Sequence, residues 1–144
     1  MKIRRATLSD VARLATIEAL QPASAGWGEN GWQTELNTSA AQIWCAEQDG
    51  EVVGFISLRL AAGLAEILNV AVHPHYCRQG VGSALFAQVW QELKIQGAQE
   101  VTLEVNAQNI AAIPLYKKMG LQERGRRKKF YHHTDDALIM GRML

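Results

Sequence analysis

One stretch limits the fold of this chain more than any other. From Leu68 to Gly120 a strand-like run, a glycine turn, a helical run, a second strand-like run and a second helical run follow in order. The first run is Leu68-Asn69-Val70-Ala71-Val72-His73-Pro74, and the turn is Arg78-Gln79-Gly80-Val81-Gly82-Ser83. Leu85, Phe86, Val89, Trp90 and Leu93 then recur at the helical period, which predicts a helix from about Val81 to Ile95 stopped by Gly97. Val101-Thr102-Leu103-Glu104-Val105-Asn106 alternates as a strand, with Val101, Leu103 and Val105 on one face and Thr102, Glu104 and Asn106 on the other. A glycine turn feeding a helix N-terminus directs several free N–H groups at one point and adds the positive end of the helix dipole, a combination that holds a diphosphate. An ordinary strand-to-helix turn has the same local spacing.

The remainder reads as a mixed α/β layout in the order β-α-α-β-β-β-α-β-α-β-β. Ile3-Arg4-Arg5-Ala6 is a short strand, and Thr7 with Asp10 three positions on signals a helix start. Val11, Leu14, Ala15, Ile17 and Leu20 supply that helix with an apolar face. Gln21 to Gly28 reads as a loop, and Glu29 to Thr38 as a second short helix carrying Trp32 and Leu36. Asp49-Gly50 between Gln42–Gln48 and Val52–Leu60 is a hairpin signal, and Leu64–Val72 extends the meander. A helix near Ile110 to Met119 ends at Gly120. Strands at Leu121–Arg127 and Ala137–Met143 close the chain, joined through His132-His133-Thr134-Asp135-Asp136. The turn is neither a Gly-x-Gly-x-x-Gly dinucleotide loop nor a Walker loop.

At 144 residues, 48% apolar and 20% charged, the sequence suits one soluble globular domain spanning 1–144. A net charge of +1 does not suit a nucleic-acid binder acting through its overall field, so no DNA partner is expected. No apolar run approaches the roughly 20 residues of a membrane span, and the polar N-terminal segment is unlike a signal peptide; a cytoplasmic location away from membranes is expected. Cys45 and Cys77 make no disulfide framework. His73, His75 and Cys77 alternate around Pro74 without matching a zinc spacing, so no metal is expected.

The order of elements, Val70-Ala71-Val72-His73-Pro74, the Gly80-Val81-Gly82 turn and Asn109 through Tyr116 resemble the GNAT N-acetyltransferases over essentially the whole chain. Within that superfamily, Leu103-Glu104-Val105-Asn106-Ala107-Gln108-Asn109-Ile110-Ala111-Ala112-Ile113, Leu115-Tyr116, Ile67 to Val72, the segment Arg127 to Tyr131 and the ending Asp136-Ala137-Leu138-Ile139-Met140 are similar to the RimI branch, the bacterial ribosomal-protein-alanine N-acetyltransferases. The resemblance implies a mostly antiparallel sheet of about seven strands flanked by four helices. It also implies acetyl-CoA as donor and the N-terminal alanine of a small-subunit ribosomal protein as acceptor.

By that resemblance the pyrophosphate lies on the backbone of Arg78, Gln79, Gly80, Val81, Gly82 and Ser83, and Val70, Ala71 and Val72 offer strand groups to the pantetheine arm. Asn109 caps its helix, with or without a cofactor contact. Glu104 matches the general base, acting through water, and Tyr116 the acid that protonates the departing thiolate. On residue type alone, Glu104 also reads as a solvated strand-face carboxylate and Tyr116 as a core aromatic. Two positions depart from the family pattern. Cys77 stands where Gln or Arg usually precedes the first glycine by three, and Pro114 lies in the helical run leading to Tyr116, where only a place near the first turn leaves the helix unkinked.

The acceptor has a chemical signature as well. An α-amine has a pKa of about 7.8 and a lysine about 10.4, so the lysine needs roughly 3 kcal/mol more help to lose its proton. A single carboxylate suits the α-amine. Other protein N-termini, an internal lysine or a small amine remain as acceptors, and a non-catalytic acyl-CoA sensor or interaction domain as another class of function; a pure binder needs neither Glu104 nor Tyr116. The run Arg124, Arg126, Arg127, Lys128 and Lys129 suits a weak contact with ribosomal RNA, or is simply a solvated strand end. Phe130 and Tyr131 fit either a peptide groove or hairpin packing.

Overall fold

A computed structural model of the chain describes residues 1–21, 26–131 and 134–144. Its strands are β1 (Lys2–Arg5), β2 (Ala41–Gln48), β3 (Glu51–Ala61), β4 (Leu64–Val72), β5 (Glu100–Asn106), β6 (Gln122–Tyr131) and β7 (Asp135–Met143). They form one sheet in the order β1-β2-β3-β4-β5-β7-β6, in which the β4–β5 pair is parallel and the others antiparallel. The helices are α1 (Val11–Ala19), α2 (Gly28–Leu36), α3 (Val81–Ile95) and α4 (Ala112–Lys118). Seven mostly antiparallel strands with four helices are the arrangement the resemblance implies.

Alternation along the strands divides the interior in two. On β2, Ile43 and Cys45 face α1 and α2, packing with Val11, Leu14, Ile17 and Trp32, while Trp44 and Ala46 face α3. All five apolar residues predicted for the inner face of α3 are buried, each contributing about 1.5–3 kcal/mol by leaving water. The Trp90 indole N–H donates to Met119 O at 3.0 Å, tying α3 to the end of α4. Asp49 and Gly50 both sit at positive φ, as the tight β2–β3 turn requires.

Three expectations need adjustment. Leu20 is 48% exposed because α1 stops at Ala19, and Glu18 is buried in its stead. α4 starts at Ala112 rather than near Ile110, with Asn109 Oδ1 accepting from Ala112 N at 3.2 Å. Pro114 therefore falls in the first turn, where its missing N–H has no intrahelical partner to lose. β6 runs on to Tyr131 through an irregularity between Arg127 and Tyr131. Of the predicted Gln21–Gly28 loop, residues 22–25 lie outside the described residues, as do His132 and His133 of the β6–β7 connection.

Candidate active site

The site begins where the parallel ladder stops. β4 and β5 pair from Leu64–Glu100 to Ile67–Leu103 and no further. At that level β4 carries a bulge: Ser57 pairs Asn69 and Leu58 pairs Ile67, leaving Leu68 as the extra residue. A bulge bends its strand. Beyond it Val70–Val72 and Asn106 line the walls of a cleft of about 500 Å3, together with Gln21, Cys77, Asn109, Leu115 and Tyr116.

At the Cys77 end the glycine turn enters α3. Arg78 (φ +62°) and Gly80 (φ +81°) are both left-handed, the second at no steric cost because glycine has no Cβ. Ala84 N makes the first intrahelical bond, to Gly80 O at 3.0 Å, so the N–H groups of Val81, Gly82 and Ser83 precede the ladder and lack an intrahelical acceptor. Gly82 keeps space open: a Cβ there would come within 2.9 Å of Leu115 Cδ2 and 3.9 Å of Val72 Cγ2, both in the cleft wall. Open N–H groups beside a cradle that a methyl would narrow fit a diphosphate. Cys77 contributes an exposed thiol, 3.7–3.8 Å from the carbonyls of His73 and Val72, and Gln79 turns back to His75 O at 3.1 Å. The cleft lining omits Arg78, Gln79, Gly80, Val81, Gly82 and Ser83, so the turn stands at its end rather than in its walls.

Titratable groups stand in and beside the same cleft. Tyr116 on α4 is 8% exposed, lines the cleft and meets Phe86 edge-on at 5.8 Å between ring centres. Burial pushes its phenol up to about 12, with a smaller contribution from Tyr131. Glu104 lies on the other face of β5 and outside the cleft lining, whereas Asn106, on the same face, is within it. Tyr131 connects the two: burial raises its phenol, the nearby Glu104 charge raises it further, and Tyr131 in turn acts on Tyr116.

Tyr131 reaches this place because β6 bulges. Arg127 pairs Ala137 and Tyr131 pairs Asp135, so three residues of β6 oppose only Asp136. Lys129 takes φ +53° in the bulge, and its N–H donates to Asp136 Oδ1 at 2.9 Å. Asp136 also accepts from Arg126 at 3.0 Å, and these contacts hold its carboxyl below the usual range. The basic run is thus largely compensated: Arg124 pairs with Glu100, Arg126 with Asp136 and Glu123, and Arg127 with Glu104 at 3.1 Å.

Two participants escape a sequence reading. Arg127 is visible only as part of a charge run and of the resembling segment Arg127 to Tyr131, neither of which points to Glu104. Glu18, 2% exposed, accepts from Asn69 Nδ2 at 2.8 Å and Gly28 N at 3.3 Å, joining α1, β4 and the start of α2. Its sole sequence signal is an acidic residue directly after the buried Ile17. Among the described residues a second cavity, of about 510 Å3, is lined by Lys118, Gly120, Arg124 and Arg142 with others and holds none of the candidate catalytic or cofactor residues. Arg142 there donates to Met119 O at 2.9 Å, a contact that caps the end of α4.

The acetyltransferase (GNAT) family profile matches residues 10–121. A Bacillus subtilis protein provisionally named ribosomal protein bS18-alanine N-acetyltransferase is 32% identical over 139 residues, covering 96% of this chain and 92% of its own. The Escherichia coli K12 ribosomal protein bS18-alanine N-acetyltransferase is 40% identical over 96 residues, a match spanning 65% of each chain. The crystal structure of the Escherichia coli ribosomal-protein-S18-alanine N-acetyltransferase superposes with a TM-score of 0.90 at 30% identity, over 99% of this chain and 92% of that one.

Proposed function

Because the chain belongs to the GNAT acetyltransferase family, we propose that it moves an acetyl group from acetyl-CoA to the N-terminal α-amine of an alanine on a small-subunit ribosomal protein. It is an acetyl-CoA-dependent N-acetyltransferase. The acceptor assignment draws on the names of its bacterial relatives. The observation that carries the reading is the wedge between β4 and β5, with the start of α3 at one end and Tyr116 in its wall.

Val81, Gly82 and Ser83 would hold the pyrophosphate through backbone N–H groups, with Arg78, Gln79 and Gly80 shaping the turn. Past Ile67 the edges of Val70, Ala71 and Val72 are released from β5 and would pair with the amides of the pantetheine arm; Asn109, already capping α4, lies along the same wall. Acetyl-CoA, when bound, supplies an electrophilic thioester carbonyl and a thiolate leaving group. Glu104 takes, through water, the proton that the α-ammonium must shed. Tyr116, its phenol at about 12, remains protonated at neutral pH and gives that proton to the departing sulfur. As the C–N bond forms and the C–S bond breaks, the nitrogen sheds its second proton to solvent through the same water, and Tyr116 regains its own from solvent between turnovers. Reactants of this kind meet in the cytoplasm, the location the proposal carries. Any ribosome contact through Arg124–Lys129 rests mainly on Lys128 and Lys129, since the three arginines are paired.

Thiol release from acetyl-CoA tests the reading with two peptides, one beginning with a free alanine in the ribosomal protein's N-terminal sequence, the other N-blocked with an internal lysine. Turnover of the free N-terminus alone is expected. Glu104→Gln should lose turnover by about 100-fold or more while keeping acetyl-CoA binding. Preference for the lysine peptide would overturn the acceptor; an inert parent protein that binds acetyl-CoA tightly points to a sensor.

A further inference from the structure

The carboxylate proposed as base is not bare. Other acidic groups in this fold are gripped at both oxygens: Arg59 meets Glu35 at 3.0 and 2.8 Å, and Arg4 meets Asp10 at 2.8 and 2.9 Å. Glu104 is met by one guanidinium nitrogen, at 3.1 Å from one oxygen. Both side chains reach solvent, Arg127 at 55% and Glu104 at 32%, and a pair so exposed is weak and readily exchanged. The guanidinium has a second contact that does not depend on Glu104, since its carbon lies 5.4 Å from the centre of the Phe130 ring. The β6 bulge, fixed by Asp136 at Lys129, holds Arg127 and Phe130 on one short arc of backbone.

We infer that Arg127 is a placeholder cation: it neutralises Glu104 in the empty site and gives way to the acceptor's α-ammonium, releasing the carboxylate while it keeps its contact with Phe130. The inference rests on the reading that the acceptor amine arrives at Glu104. Exchange of one monovalent cation for another keeps the Glu104 carboxylate paired throughout, so binding a charged amine strands no carboxylate. A blocked N-terminus brings no cation, cannot displace the guanidinium, and is rejected before chemistry. Arg127 is on this view a specificity-determining residue that acts through Glu104, without touching the reacting atoms.

The test uses the full chain with Arg127→Gln and Arg127→Lys, the alanine peptide, and its N-acetylated form. Removing the competing cation should lower KM for the free-amine peptide about two- to fivefold in R127Q, with kcat moving less, and R127K should restore KM. Equilibrium binding to the CoA-loaded protein should tighten by the same factor for the free-amine peptide and stay unchanged for the acetylated one. Equal tightening of both peptides would make Arg127 a steric obstruction and overturn the inference. A fall in kcat with an unmoved or raised KM would make it an orienting partner of Glu104 in the working complex and overturn it too. Absence of turnover by the unaltered protein overturns the acceptor reading, and this inference with it; turnover with an unmoved KM in R127Q overturns this inference alone.

Discussion

Gly82→Ala separates the stability of the α3 start from its use. Helix propensity favours alanine over glycine by about 0.5–1 kcal/mol. The added methyl would meet Leu115 Cδ2 at 2.9 Å, closer than real contacts allow, but that atom ends a flexible side chain. Rotating Leu115 away costs about 0.5–1.5 kcal/mol in an off-rotamer geometry. The two effects nearly cancel, so Tm should move by no more than about 4 °C. Binding has no such compensation. Leu115 and Val72 both line the cleft, and the methyl occupies the space between them where the turn is proposed to receive the pyrophosphate. Loss of one charge-assisted hydrogen bond, about 1.5–3 kcal/mol, weakens CoA about 10- to 100-fold. A thermal melt and calorimetric titration with CoA on the same preparation measure both quantities. Unchanged CoA affinity would remove the diphosphate from this turn. A Tm drop of about 10 °C or more would show that Leu115 cannot yield, and the energetic argument would fail.

Two further outcomes follow from buried polar groups. Burial pushes the Cys45 thiol up from 9.0 and the Tyr116 phenol up from 10.0, each to about 12. Between those limits the folded chain keeps protons that the unfolded chain releases, so stability is complete below about pH 9 and declines as pH rises toward 12. Cys45 alone accounts for about 2 kcal/mol between pH 8 and pH 10.5. Urea unfolding at both pH values should show a smaller alkaline loss in Cys45→Ala than in the parent, and equal losses would contradict the assignment. Glu18→Ala leaves the Asn69 amide and Gly28 N–H without their acceptor and should cost about 2–3 kcal/mol in the same assay at neutral pH. A cost under about 1 kcal/mol would mean that water replaces the carboxylate freely.

What the sequence discloses depends on how local each cause is. The bounds of α3 are legible because five apolar residues at helical spacing lie between a glycine turn and Gly97, and every one of those signals acts within a few residues. The faces of β5 are legible for the same reason, as is the capping role of Asn109. Glu18 is not, since a charged residue reads as exposed until Asn69, 51 positions away, arrives to compensate it. The extension of β6 to Tyr131 is equally hidden. Lys129 adopts a conformation that lysine resists, and Asp136 on the neighbouring strand accepts its N–H there. The basic run shows the limit most plainly. Arg124, Arg126 and Arg127 look like one patch in the sequence but are distributed among Glu100, Asp136 and Glu104 in the fold. Glu104 and Tyr116 stand out by residue type and resemblance, while the place of Tyr131, which feels the Glu104 charge and acts on Tyr116, follows only from the bulge.

The parallel seam between β4 and β5 is only four residue pairs long. To one side lies the antiparallel block β1–β4, to the other β5–β7, and past Ile67 the two edges part. In the proposed binding mode acetyl-CoA fills that gap and fastens one block to the other. A ligand at 100 times its Kd adds about 2.7 kcal/mol to the folded state. Resistance of this enzyme to heat and proteolysis then rises with the free concentration of acetyl-CoA relative to its Kd. The same molecule that is consumed in the reaction would set how long the catalyst lasts.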